Sequence, residues 1–272
     1  FAGILIGTSN FIFSKMADEK LSFDTALALA QKEGFAEPDP TFDISGQDAA
    51  QKTSILATLS FFQNSSMEKV YFEGIDKISP DDIDYGKQLN FVLKPLSVGM
   101  QNKDQITLGS FPAFVKTDSL LASIQNENNA VLVNAENVGG TMYSGPGAGA
   151  KPTANSVLSD VIDIARGKIF DYGKFVQQDL SSSFDNFSCD RYLKLQVNDK
   201  PGVVAKISTL LANNNLSIDN LIQKELERSD DQIPLVIVLS DSDETTIQET
   251  VKELEALDEV SGPLTHIRIL DI

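Results

Sequence analysis

Helical and strand-like spacings of apolar residues follow one another along this chain in an order that divides it in two. Residues 1–6 are an almost unbroken apolar run, and GTSN at 7–10 interrupts it. In the following FIFSKMADE, the apolar Phe11, Ile12 and Met16 share a helical face. Ser22 is placed to cap a second helix that runs to Glu33 and stops at Gly34. A longer helix is predicted over 47–62, with Ala49, Leu56 and Leu59 toward a core. From 70 to 133 the period shortens. Residues 70–72, 91–98, 105–115 and 130–133 read as strands broken by Gly, Pro and Asn turns, with helical pieces at 80–89 and 119–124. Together they predict an α+β unit built on a mixed, largely antiparallel sheet.

A glycine-dense segment, GGTMYSGPGAGAKPT at 139–153, is expected to be a loop between a strand and a helix over 154–166. Residues 168–190, with the run Ser181-Ser182-Ser183 and scattered charges, read as a linker. Beyond it the pattern is regular: a strand at 192–197, a turn at Asp199-Lys200-Pro201-Gly202, and a helix at 203–213. Strands at 216–226 and 233–239, a helix at 245–257 and a strand at 264–270 follow. This βαββαβ order is the ferredoxin-like arrangement, two helices over one face of a four-stranded antiparallel sheet. The expected division is a first domain over 1–167, the linker at 168–190 and a second domain over 191–272. His266, in the last strand between Thr265 and Ile267, is expected to face solvent.

Composition narrows the function classes. The 272 residues carry a formal charge of −17, which argues against nucleic acid or an anionic membrane as partner and suits a protein that handles small molecules. One cysteine, Cys189, cannot form an internal disulfide, and one histidine argues against a histidine metal cluster or a Ser-His-Asp triad, so no metal is expected. No apolar run reaches the roughly 18–20 residues that cross a bilayer, and the expected compartment is the cytoplasm. The chain opens on Phe1-Ala2-Gly3-Ile4-Leu5 without a methionine. Such an apolar start belongs inside a core, so the chain is expected to be a piece of a longer protein.

The densest ionisable chemistry lies in FAEPDPTFDISGQDAAQKT at 35–53, where Glu37, Asp39, Asp43 and Asp48 crowd together and only Lys52 answers them. Pro38 and Pro40 stiffen the backbone on both sides of Asp39. Asp48 and Lys52 stand four apart on the helix that Ser45 and Gly46 open, and share one face. Two readings are open: a solvated helix start with one surface ion pair, or an acid–base site. The local residues alone favour the first. The glycine loop is similarly ambiguous. Amides at a helix start can hold an anion, but Ala150 replaces the glycine a Walker A loop has before its lysine, and the glycines run GxGxG rather than GxGxxG.

Longer segments carry a resemblance. LKLQVNDKPGVVAKISTLLANNNLSIDNLIQKE at 193–225 resembles an ACT domain, most specifically in the DKPGVV turn. GILIGTSNFIFSKM at 3–16, GFAEPDPTFDISGQDAAQK at 34–52 and GGTMYSGPGAGAKPTANSVLSDVIDIA at 139–165 resemble, in that order, the catalytic domain of the homoserine dehydrogenase family. The resemblance reverses the balance at 35–53. It implies hydride transfer between a nicotinamide cofactor, NAD(P), and the homoserine/aspartate-semialdehyde pair. By the same resemblance Lys52 is the acid–base residue, Asp48 orients it, Glu37 and Asp43 hold the substrate, and Gly7 and Thr8 lie near its polar end. Asp39 is left over and is expected to be structural. Phe35 stands where the family often has tyrosine, removing one hydroxyl contact, and Gln51 stands where histidine is frequent.

The family's Rossmann domain, with its GxGxxG turn, is missing from these residues. The glycine loop, with Gly147 and Gly149 as cofactor-binding positions, is expected to pack against that domain. In the ACT part the resemblance implies an amino-acid effector, threonine, at Asn198, Asp199, Pro201 and Gly202. Amides after Pro201 and Gly202 can receive a carboxylate, and Asn198 or Asp199 an ammonium. Both families tend to pair, so a homodimer or higher homo-oligomer is expected. Two other readings are a sensor module without chemistry of its own and a structural α+β protein.

Overall fold

The computed structural model describes residues 1–168, 176, 180–223 and 232–272. The first part runs β1 (Ala2–Ile4), α1 (Gly7–Glu19), α2 (Phe23–Glu33), the single turn α3 (Thr41–Ile44), α4 (Gln47–Phe61), β2 (Tyr71–Phe72) and α5 (Pro80–Gln88). It continues through β3 (Phe91–Asn102), β4 (Gln105–Lys116), β5 (Asn128–Ala135), β6 (Gly139–Pro146) and α6 (Ala150–Ala165). The second part adds β7 (Ser181–Ser182), β8 (Ser188–Asn198), α7 (Val203–Asn213), β9 (Ile218–Gln223), β10 (Gln232–Asp243), α8 (Glu244–Glu255) and β11 (Val260–Leu270). Local chemistry sets many of these ends. The Ser22 side chain accepts from Thr25 N, Gly34 closes α2 in the left-handed region (φ 81°), and Ser79 and Asp82 form a reciprocal capping box at α5.

One sheet unites both parts, in the order β6-β5-β1-β3-β4-β11-β8-β10-β9, with β2 and β7 beside β4. Neighbours along that path are antiparallel except β11 and β4, which pair in parallel from Arg268↔Ala113 to Leu270↔Val115. The predicted α+β class and the ferredoxin-like βαββαβ unit are both present. That unit's sheet does not end at β11, however; it continues into the first part. Its two faces are both covered. Ile207, Leu211, Ile247 and Leu254 of its own helices pack on Leu193, Leu195 and Ile237. On the other face, Tyr192, Val238, Ile267 and Ile269 share a core with Phe11, Met16, Ile83 and Phe114.

Several expectations are corrected. His266 is half-buried, with its Nε2 buried, because β11 is an inner strand and not an edge. Burial, then the charges of Arg268 and Arg191, push its pKa down to about 3. The glycine segment is mostly strand: β6 pairs with β5 from Ala135↔Gly139 to Asn128↔Pro146, leaving 147–149 as the turn, and α6 starts at Ala150. The core face of α4 is Ala50, Thr53 and Ala57, small residues that let the helix lie close on β3 and β4, while Leu59 is exposed. The predicted helical piece at 119–124 is a 3-10 turn. Of the expected linker, residues 169–175 and 177–179 lie outside the described residues. Its described end is packed, with β7 on β4 and the rings of Phe184 and Phe187 buried and stacked at 4.7 Å.

Charged groups are buried where the parts meet. Lys194 Nζ lies 2.7 Å from the fully buried Asp82 Oδ1, which also accepts from Tyr192 Oη at 3.1 Å. Under the other face, Arg268 and Arg191, both without exposed surface, share Glu244 at the start of α8 (2.6 and 2.9 Å), and Arg268 reaches Glu73 at 3.0 Å. Arg268 also stacks on Phe111, 4.3 Å from the ring centroid. Among the described residues, no helix is long and apolar enough to cross a membrane.

Candidate active site

The start of α4 is built on a close approach. Gly46 precedes the helix in the left-handed region (φ 86°), and a methyl there would lie 2.5 Å from the Glu73 carbonyl oxygen. Asp48 falls in the first turn and Lys52 one turn later. Their Nζ–Oδ2 separation is 2.8 Å, and the side chains are 45% and 19% exposed, so the pair borders an opening to solvent. Lys52 Nζ is also 3.5 Å from the Leu5 carbonyl oxygen.

The start of α1 forms the adjoining wall. A side chain at Gly7 would run into the Glu127 carbonyl, 2.7 Å away. Thr8 donates its hydroxyl to Phe35 O at 2.5 Å, and Ser9 donates to Asp43 O at 3.5 Å. Buried Asn10 gathers the carbonyls of Ile124, Asn126 and Asn128 at 3.2, 2.9 and 3.1 Å, locking the loop below Gly7. The GTSN helix start therefore ties the acidic loop to the 124–128 loop. Burial lifts the Asp43 carboxyl above its ordinary range. The Thr8 hydroxyl opposes that lift, the Asp48 charge adds to it, Lys52 opposes it, and Glu37 adds to it. Glu37 is exposed at the rim. Asp39 accepts from Thr41 N (3.2 Å) and Thr41 Oγ1 (2.6 Å), which hold its carboxyl below the usual range and make it a local turn anchor.

Thus Gly7, Thr8, Glu37, Asp43, Asp48 and Lys52 converge, and a residue the sequence did not single out joins them. Asn129 donates its Nδ2 to the same Leu5 carbonyl at 3.1 Å, and a methyl on Gly147 would overlap its amide. Its Oδ1 is buried without a partner among the described residues. Only its position at the head of a strand, in a run of polar residues, hinted at this. The glycine turn is thereby brought to the lysine. Gly149 (φ 115°) precedes α6, whose first amides have no side-chain cap and whose Val157, Leu158, Val161 and Ile162 are all exposed.

The proposed effector residues stand apart. Asn198 ends β8, and Asp199, Pro201 and Gly202 are exposed. Gly202 takes the left-handed region (φ 95°) before α7, which starts without a side-chain cap. Among the described residues no group of metal-ligating side chains is gathered.

An exposed lysine ringed by carboxylates can bind an ammonium-bearing substrate and exchange a proton with it. Placed on an α+β scaffold that a ferredoxin-like βαββαβ unit continues, it defines the class as a small-molecule-binding protein with a candidate acid–base pair. The homoserine dehydrogenase family profile matches residues 1–162 and the ACT domain profile residues 191–259. The homoserine dehydrogenases of Pseudomonas aeruginosa and Helicobacter pylori are each 38% identical over 98% and 99% of this chain. A homoserine dehydrogenase crystal structure from Thiobacillus denitrificans superposes with a TM-score of 0.90 at 35% identity, over 99% of this chain and 63% of that one. The chain belongs to the homoserine dehydrogenase family. It spans 64% of the length of the two curated relatives named here.

Proposed function

We propose that this chain is the substrate and regulatory portion of an enzyme that interconverts L-homoserine and L-aspartate 4-semialdehyde with NAD(P)(H), a step toward threonine, methionine and isoleucine. The observation that carries this is the Asp48–Lys52 pair at 2.8 Å, facing Asp43, Glu37 and the Thr8 helix start. Asp43 and Glu37 take the substrate ammonium, which is a natural partner for two carboxylates. Lys52 takes the proton from the substrate hydroxyl on oxidation and returns it on reduction, while Asp48 holds the amine in place. The Leu5 carbonyl, steadied by Asn129, limits where Lys52 Nζ can sit.

The residues present fit a dinucleotide. The bare backbone of Gly147 lets the turn lie against the Asn129 amide, whose Oδ1 is buried without a partner among the described residues, and α6 opens with uncapped amides suited to a phosphate. When bound, the nicotinamide exchanges a hydride with the substrate carbon. The outward apolar face of α6 supports a nucleotide-binding part packing there, since such a stripe is ordinarily covered. The chain alone is then inactive. A threonine-type effector at Asn198, Asp199, Pro201 and Gly202, a homodimeric assembly and a cytoplasmic location complete the reading.

The test is Lys52→Ala in the full-length protein, following nicotinamide absorbance with homoserine. The expected loss in kcat is about 10²–10⁴-fold, and normal turnover would refute the acid–base role. A second reading, an amino-acid sensor, draws on the uncapped start of α7; calorimetry with threonine on the same protein tests it, and no heat at millimolar threonine would count against it.

A further inference from the structure

We infer that Glu73 is a positioning residue for the Asp48–Lys52 pair, held from its far side by Arg268 of β11. The inference rests on the acid–base reading of Lys52. The first turn of α4 has no side-chain cap, so its placement depends on what its backbone touches. The segment after β2 supplies those contacts. Ile75 N donates to Ile44 O at 2.9 Å. A methyl on Gly74 would lie 2.9 Å from Ile44 O, and one on Gly46 would lie 2.5 Å from Glu73 O. At Gly46 the nearest atoms are the Glu73 backbone, and at Gly74 the Ile44 carbonyl, with the Asp76 carboxylate equally close. Lys52 follows Gly46 by six residues, about 9 Å along the helix axis, so a tilt at that contact displaces its stem.

Glu73 is itself anchored at both ends. Its N–H donates to Ser110 O at 2.9 Å, and its carboxylate accepts from Arg268 Nη2 at 3.0 Å and from Tyr71 Oη. Arg268 has no exposed surface, is fixed by two bonds to Glu244 (2.6 and 3.1 Å), and lies against the rings of Tyr71, Phe111 and Phe184. A fork held this firmly makes Glu73 a stop for α4. The second part of the chain therefore contributes to the geometry of the lysine without touching it.

The experiment compares Glu73→Gln, Gly46→Ala and the double variant in the full-length enzyme, with Lys52→Ala as control. Each single variant perturbs one contact from opposite sides. Each should lower kcat about tenfold or more while KM stays within about threefold, because displacements near 1 Å cost rate before binding. The double variant should be no worse than the poorer single one, as expected for residues acting through one contact. Rates are taken per folded molecule, by circular dichroism. A Glu73→Gln enzyme with a lowered Tm but normal kcat, or additive losses in the double variant, would overturn the inference. Should Glu73→Gln not fold, Tyr71→Phe, which removes the other hydrogen bond to the Glu73 carboxylate and leaves the buried charges in place, decides by the same kcat criterion. An active Lys52→Ala would instead sink the acid–base reading.

Discussion

Glu244→Gln tests how the two parts are held together. The Glu244 carboxylate serves Arg268 twice, at 2.6 and 3.1 Å, and Arg191 at 2.9 Å. Burial alone would raise its pKa, but the charge of Arg268, bonds from Arg268 and Gln248, and the charge of Arg191 bring it from 4.5 down to about 2. A carboxyl depressed on folding stabilises the protein above its unfolded value and loses that contribution as pH falls through its folded one. At about 1.4 kcal/mol per pH decade, the depression is worth roughly 3 kcal/mol at neutral pH. Glutamine keeps the shape and removes the charge, leaving the buried Arg268 with Glu73 and the buried Arg191 with the Phe187 and Ser242 carbonyls. Breaking a buried pair in this way costs about 3–5 kcal/mol, which agrees. The chain has no tryptophan, so urea unfolding is best followed by far-UV circular dichroism. The variant should unfold at lower urea at pH 7. The gap should narrow toward pH 3, where roughly half of the wild-type contribution remains. Equal midpoints at pH 7, or a gap that ignores pH, would refute the reasoning.

Two further outcomes concern the site. Gly147→Ala drives a methyl into the Asn129 amide at an exposed turn. Denaturant stability should change little while kcat/KM falls by about 10²-fold, and unchanged kinetics would disconnect the turn from Lys52. Asp43→Asn removes a charge whose burial raises its pKa, so it is a carboxylate that costs stability once ionised and costs less as pH falls. The variant's Tm at pH 7 should be no lower than wild type, while the KM for homoserine rises about 10–100-fold through the lost ammonium contact; a lower Tm with unchanged KM would contradict both halves.

Local signals were legible in the sequence because they are carried by neighbours in the chain. The Ser22 cap, the Gly34 stop and the Asp48–Lys52 spacing each involve residues within four positions, and all stand in the structure. The βαββαβ order followed from alternation and turn chemistry alone. What escaped depends on partners far away in sequence. Nothing in LTHIRIL announces that β11 pairs in parallel with β4, about 155 residues earlier, and strand alternation alone directs His266 to solvent. The buried stripe of α4 departs from the apolar pattern because closeness to the sheet selects Ala50 and Ala57 over larger neighbours. Asn129 and Glu73 resemble ordinary polar loop residues until the fold brings Leu5 and Arg268 to them.

That distance has a consequence for the second part. The ACT profile ends at residue 259, just before β11. Yet β11 is the strand that joins the sheets and carries Arg268. The 198–202 turn, proposed as the effector site, lies at the opposite end of β8 from Arg191, about 24 Å along a strand with a rise near 3.4 Å. At the turn, Asn198 N donates to Glu259 O at 2.9 Å and Lys206 pairs with the Glu259 side chain at 2.7 Å, and Glu259 leads directly into β11. A ligand that moves the turn therefore pulls on the same strand that holds Glu73. The second part thus shares one sheet with the first and, through Arg268, reaches the Glu73 segment packed on α4 without lying beside Lys52.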